Sequence, residues 1–216
     1  MSTEKRPPLD RRRVADTALR LLNEVGLDGL TLRAIAKELD VKAPALYWHF
    51  KDKQALLDEM ATEMYRRMAA GVALDPADTW RERLLGMNRG LRSALLGYRD
   101  GARVFSGSRF TGTEHAPALE ANLRLLTEAG LTLAQAVHAG RTAHAYTIGF
   151  VTEEQGVRPL PDERREGYGI EDRARRLAGY PLAAEAGSLL FDDYDQQFEE
   201  GLALVVAGIA ARYGLG

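Results

Sequence analysis

The stretch TLRAIAKELDVKAPALYWHF, residues 31–50, decides how this chain is read. Thr31 is a residue type that caps helices, and Ile35 and Leu39 follow it at helical spacing, so a short helix is expected from Thr31 to Leu39. Asp40, Val41 and Lys42 make a tight turn. Pro44 then falls in the first turn of a second helix, where its missing N–H leaves nothing unsatisfied, and that helix ends near Phe50. Two short helices joined by such a turn, with a longer helix on each side, make a unit that can read DNA. A helix about 10–12 Å across fits a major groove about 12 Å wide. By spacing alone, the same pattern equally fits a helical hairpin inside an ordinary bundle.

Outward from that stretch, the apolar period stays near 3.6 and strand alternation is nearly absent, so the fold class is all-α. Asp10 caps a preceding helix with Val14, Ala18, Leu22 and Val25 on its inner face, and Gly26 stands where a left-handed stop belongs. Asp52 caps a longer amphipathic helix carrying Leu56, Leu57, Met60 and Met64. A break from Leu74 to Thr79 contains Pro76. Helices are expected at about 80–98, 100–107, 116–129 and 132–153. The segment 156–181, rich in Gly, Pro and charge, reads as a long loop interrupted by a short helical piece. The chain from about Ser188 to Tyr213 is again helical. These segments give a head over 1–52, a connecting helix over 53–70 and a larger helical domain over 71–216.

The composition narrows the function classes. Of 216 residues, 45% are hydrophobic and 28% charged, as in ordinary soluble globular proteins. The absence of cysteine excludes disulfides and thiolate metal sites, and fits a cytoplasmic setting. The start, MSTEKRPPLDRRR, has no apolar core and is not expected to be a signal peptide. No apolar run nears the ~20 residues of a membrane span. The net charge of −2 hides an asymmetry: through Lys53 there are eleven Lys and Arg against eight Asp and Glu, and the acidic excess lies beyond. Four histidines, His49, His115, His138 and His144, are present. No HExxH, GxSxG, GxGxxG or P-loop pattern occurs, and His138 and His144 are not at the i, i+4 spacing of a helical metal pair, so catalysis is not expected.

Particular residues separate a DNA-reading unit from a plain hairpin. Leu-Asn-Glu-Val-Gly at 22–26, Gly-Leu-Thr at 29–31, Leu-Tyr-Trp-His at 46–49, Lys53 and Ala-Leu-Leu at 55–57 resemble the DNA-binding domain of the TetR family, and within it that of the tetracycline repressors. The resemblance continues through Trp80, Ala94-Leu-Leu, Arg99-Asp-Gly-Ala, Val104, Arg109, Gly149 and Glu153 to Gln155, and weakens over 156–190. It implies a DNA-binding surface made of Thr31, Arg33, Lys42, Ala43, Pro44, Ala45, Tyr47, His49 and Lys53. Arg33 matches an arginine that reaches a guanine, a contact worth roughly 1–3 kcal/mol of discrimination. Pro44 and Tyr47 match apolar and phosphate-side contacts, and His49 and Lys53 match phosphate contacts. Trp48, beside an exposed tyrosine, is expected to pack inward. Ala43 and Ala45 stand where the tetracycline repressors have glutamine and threonine. A methyl group cannot make a bidentate adenine contact, so the operator is expected to differ.

For the remainder, the resemblance implies a small-molecule inducer held inside each subunit. Candidate lining residues are Met87, Leu91, Phe105, Ser108, Arg109, Asn122, Val137 and Tyr146. Phe105 stands at the position of a histidine that holds magnesium in the tetracycline repressors, Ala69 at that of a second ligand-contacting histidine, and Met87 at that of an asparagine, with Asn88 next to it. Phenylalanine cannot ligate a metal, and Glu153 alone does not select magnesium. No metal or cofactor is therefore expected, and a hydrophobic antibiotic-like or polyketide-like inducer is. Helices 132–153 and 188–213 are candidates for a homodimer seam, with Gly140, Gly149, Gly201 and Gly208 allowing close approach and Leu202, Val205, Val206 and Ile209 supplying apolar area. The expected partners are a duplex operator, the inducer and a second copy, with no membrane. The alternative is a DNA-binding regulator without a small-molecule ligand.

Overall fold

The computed structural model describes residues 9–71, 75 and 77–216; the charged start 1–8, and Leu74 and Pro76 of the expected break, lie outside the described residues. Among the described residues there are eleven helices and no strand. The head is α1 (Arg11–Gly29), α2 (Leu32–Glu38) and α3 (Ala43–Tyr47), followed by the connecting helix α4 (Lys53–Gly71). Asp10 caps α1 by accepting from Arg13 N at 2.8 Å, and Thr31 caps α2 by accepting from Ala34 N at 3.1 Å. Asp52 caps α4, accepting from Ala55 N at 2.8 Å. Asp52→Ala should lower stability by about 1 kcal/mol in urea unfolding, the usual cost of a lost N-cap.

Gly26, at φ 69° and ψ 173°, does not end α1 but kinks it, and three further residues of helix follow. The bend turns Val25 outward, to 45% exposure, which corrects the inner face expected for this helix; Val14, Ala18 and Leu22 are fully buried. Behind the kink, Leu27 N donates to Asp100 Oδ2 at 2.9 Å, tying the head to the body.

The body consists of α5 (Trp80–Leu96), α6 (Gly101–Phe105), α7 (Ala116–Glu128), α8 (Leu133–Val157), α9 (Ile170–Arg176), α10 (Pro181–Phe191) and α11 (Tyr194–Tyr213). The C-terminal helical stretch expected from Ser188 is thus two helices, the first starting at Pro181, with the break at Asp192 and Asp193, where Asp193 caps α11 through Gln196 N. Capping boxes start the long helices α5 (Thr79 with Glu82) and α8 (Thr132 with Gln135). Gln155 on α8 pins α6, its Oε1 accepting from Ala102 N and its Nε2 donating to Tyr98 O.

Two apolar clusters hold these parts. One runs without interruption from Val14, Leu22, Ile35 and Phe50 of the head, through Leu56, Met60 and Met64 of α4, to Leu95, Phe105 and Val151 of the body. The second joins Trp80, Leu126, Ala139, Phe198, Leu202 and Val206. It absorbs much of the area expected at a dimer seam. Leu202, Val206 and Ile209 are buried within the chain, and a Cβ on Gly201 would sit 2.2 Å from the Tyr146 hydroxyl, so that glycine serves an intrachain approach. What α11 leaves outside is a stripe of Ala203, Leu204, Ala207, Gly208 and Ala211, with Leu204 75% exposed. Gly140 and Gly149 on α8 and Gly208 on α11 have open space where a side chain would be. No helix of the described residues is long and apolar enough to cross a membrane.

Candidate functional site

The outward side of the head comes from the shortness of its helices. α3 is five residues long and offers one inward position, Leu46; Phe50 just beyond it takes the next. Both aromatics between them are left outside, Tyr47 at 57% and Trp48 at 90% exposure. Trp48 is therefore not a core residue, against the expectation from its neighbour, because the helix ends before its face can turn inward.

The residues assigned to DNA divide by the partners they already have. Arg33 and Lys42 are exposed, and neither makes a side-chain hydrogen bond or ion pair among the described residues. Pro44 and Tyr47 are also exposed, while Ala43 and Ala45 are half-buried. Thr31 is exposed, but its hydroxyl oxygen is the α2 cap. His49 is half-buried, and its carbonyl accepts from Arg11 Nη1 at 2.6 Å. Lys53 is exposed, and its ammonium also donates to Leu27 O at 3.1 Å, tying the start of α4 to the end of α1. Lys37 on α2 and Lys51 before α4 are also exposed and make no ion pair among the described residues, so they add positive charge to the head that sequence reading did not single out.

Arg11 and Arg12 face the other way. Arg11 Nε donates to Glu59 Oε2 at 2.8 Å, and its guanidinium lies 4.6 Å over the Phe50 ring; Arg12 pairs with Glu63 at 3.2 Å. Glu59 and Glu63 are buried on α4. Arg66 also pairs with Glu59, at 3.3 Å, and with Glu114 at 2.8 Å. From the body side, Thr111 Oγ1 donates to Glu59 Oε2 at 3.0 Å, and Thr111 N donates to Thr62 Oγ1 at 2.9 Å. One buried carboxylate thus joins α1, α4 and the 106–115 loop.

That loop closes a cavity of about 360 Å³ between α4, α5, α6, α7 and α8, within the size range of small-molecule sites. Met87, Leu91, Phe105, Asn122 and Val137 are on its wall, as are Tyr65 and Met68 of α4. Ser108, Arg109 and Tyr146 are not, each for a visible reason. Ser108 Oγ donates back to Val104 O at 2.7 Å. Arg109 is exposed, its backbone N donating to Asp58 Oδ1 at 3.0 Å. Tyr146 stacks on Phe198 at 5.7 Å and donates to Phe198 O at 3.0 Å in the second apolar cluster.

Sequence reading also missed Phe110, His115, Arg141 and His144 on the wall. Phe110 stands 4.9 Å from the Tyr65 ring, 5.7 Å from Phe105 and 5.0 Å from His115, and Phe105 is 6.3 Å from His144, so aromatic faces line one end. Burial, and then the positive charge of Arg141, hold the His144 imidazole below its ordinary pKa, and burial pushes the Tyr65 hydroxyl up. His115 Nδ1 and Asn122 Oδ1 are buried without a hydrogen-bond partner. Asn88 also touches the cavity, but its amide is used between helices, donating to Leu84 O and accepting from Thr147 Oγ1, both at 2.8 Å. Glu153 is exposed on α8 and off the cavity wall. Among the described residues, no three His, Cys, Asp or Glu side chains gather as a metal site.

Comparisons with known proteins cover both halves. Residues 14–60 match the model for bacterial regulatory proteins of the tetR family, and residues 73–213 match the tetracyclin repressor-like C-terminal domain. The chain is 42% identical over 201 residues to the class A tetracycline repressor protein from transposon 1721 of Escherichia coli, covering 92% of this chain and 89% of that one. A crystal structure of a possible TetR family transcriptional regulator from Streptomyces coelicolor A3(2) superposes with a TM-score of 0.80 at 37% identity, over 94% of this chain and 99% of the other. The structure of BioQ with its double-stranded DNA operator gives a TM-score of 0.64 at 30% identity, over 94% and 99% of the two chains.

Proposed function

This chain belongs to the TetR family of bacterial regulatory proteins, and on that basis we propose that it is a cytoplasmic transcriptional repressor that binds a palindromic operator as a homodimer and is released by a hydrophobic small molecule. It is a regulator and not an enzyme. One observation carries the reading: a single apolar core runs from the exposed α2–α3 face, through α4, into the wall of an aromatic cavity. A ligand that rearranges the cavity acts on the same packed unit that positions the reading helices.

The mechanism is a two-state switch. In one state the paired α3 helices stand about 34 Å apart and enter successive major grooves. The inducer favours another spacing, and moving the population from 1:99 to 99:1 takes about 5.5 kcal/mol of differential binding. Tyr65 and Met68 put α4 directly on the ligand, while Thr111 and Glu59 tie the loop over the ligand to α1.

Magnesium does not fit this cavity. Its wall carries two imidazoles and no carboxylate, whereas magnesium takes oxygen ligands in near-octahedral array. Phe105 offers no ligand atom. The purified dimer is therefore expected to bind tetracycline no better with magnesium than with chelator present, and a tight, magnesium-dependent complex in a fluorescence titration would refute this.

DNA selected from a random pool should converge on an inverted repeat, and hydrophobic compounds that raise the melting temperature should release it. Failure to enrich any duplex defeats the repressor reading; enrichment without release by any stabilising compound defeats the inducer. Ala43→Gln, which restores a bidentate adenine reader to α3, should shift the selected bases at one position of each half-site.

A further inference from the structure

We propose that the cavity selects an aromatic ligand carrying an anionic oxygen, a carboxylate or an acidic phenol, set against the Arg141–His144 edge. This inference rests on the inducer reading and adds its charge. The wall contains no Asp or Glu. Two arginines reach it, and they differ. Arg83 is already engaged, pairing with Asp78 at 3.2 Å and donating to Asp75 O at 2.6 Å. Arg141 has no ion pair among the described residues and is exposed on α8, at the cavity edge. It lies one turn before His144, so both side chains emerge on the same face of that helix. Its charge is felt inside, since it helps hold the His144 imidazole neutral. The rest of the wall is apolar or aromatic: Phe105, Phe110 and Tyr65 supply ring faces, and Met87, Leu91 and Leu126 supply aliphatic area.

A cation entering this space would lose its hydration and find only positive or neutral partners. An anion would meet an unpaired guanidinium at the cavity edge, where solvent screens the pair in part, and inside it the donors of the half-buried histidines, in surroundings less polar than water. His115 Nδ1, on the same wall, is a further polar atom, buried without a hydrogen-bond partner among the described residues.

The test uses three isosteric tricyclic probes titrated into the purified dimer at neutral pH by fluorescence: 9-anthracenecarboxylate, 9-anthracenemethanol and 9-(aminomethyl)anthracene. The carboxylate is expected to bind at least about tenfold more tightly than the ammonium compound, as one favourable charge contact replaces an unfavourable one. Arg141→Gln should narrow that ratio to within about threefold, and Arg141→Glu should reverse it; Arg141 is exposed, so both variants should keep their circular dichroism and melting behaviour. Equal or tighter binding of the ammonium compound, or no binding of any probe, overturns the proposal. Operator binding by the ligand-free dimer is measured separately. If the dimer binds its operator while the probe order is reversed, the charge inference falls and the repressor stands. If it binds no duplex, the repressor reading falls whatever the probes do.

Discussion

Replacing Arg33 by alanine should weaken operator binding by between about 30-fold and about 2 × 10⁴-fold. The range follows from two guanine contacts per dimer, each worth roughly 1–3 kcal/mol. The side chain is suited to the task because it is exposed on α2 and makes no hydrogen bond or ion pair among the described residues. Nothing in the folded chain depends on it, so the melting temperature of the variant should stay within the small range expected of a surface substitution. Arg33→Lys keeps the charge but loses the two-pronged geometry, and should recover only a minor part of the affinity. Lys42→Ala separates two roles for the lysine beside Ala43: loss of affinity for the selected operator alone marks a share in base reading, whereas equal weakening of specific and non-specific DNA, with the salt dependence flattened by about one unit of slope per contact, marks a phosphate contact. The comparison is a titration of each variant against the selected operator and a scrambled duplex over a salt series. If Arg33→Ala changes the specific constant less than about threefold, the guanine assignment is wrong.

The legibility of the fold in the sequence varied with how locally each feature is determined. Asp10, Thr31 and Asp52 cap the helices expected of them, because an N-cap is settled within three residues. Val14, Ile35 and Met60 were readable as core from period alone, since each lies on a helix with one inner face. Features set by contacts distant in sequence were not readable. The kink at Gly26 is stabilised from Asp100, and it throws Val25 outward. Trp48 is exposed because α3 is too short to turn it inward, a boundary that propensity does not mark sharply.

The same division holds at the cavity. Met87, Leu91 and Phe105 were legible as cavity-wall residues through resemblance, whereas His144 and Arg141 share a helix face that the packing of α5 and α7 on α8 turns toward the cavity. Tyr146, two residues past His144, faces Phe198 and Gly201 instead. Apolar seam residues such as Leu202 could not be divided between chain and dimer by pattern, because both environments demand the same side chains.

Removing the Glu59 carboxylate should have the largest effect of any single change on the body–head connection. Glu59 is buried, and it receives Arg11 Nε at 2.8 Å, Arg66 Nη1 at 3.3 Å and Thr111 Oγ1 at 3.0 Å. Glu59→Ala leaves those donors without their acceptor, a change that costs about 3–5 kcal/mol when a buried pair loses one member. Arg11 keeps access to solvent, its side chain being 42% exposed, so the lower end of that range is expected. Urea unfolding should register the loss directly. Thr111→Val isolates the signalling part. It removes one hydroxyl from the rim of the network and leaves both Arg11–Glu59 and Arg66–Glu59 in place. Stability should fall by only about 1 kcal/mol, in keeping with one hydrogen bond. The loop over the cavity would then hold α4 through Arg66–Glu114 and the backbone bonds from Thr111 to Thr62 and from Arg109 to Asp58. Ligand affinity should stay within about threefold, while the ligand concentration needed for operator release should rise by about fivefold, the scale of a coupling energy near 1 kcal/mol. Equal release by Thr111→Val and the native chain would mean that the Thr111–Glu59 hydrogen bond carries none of the signal.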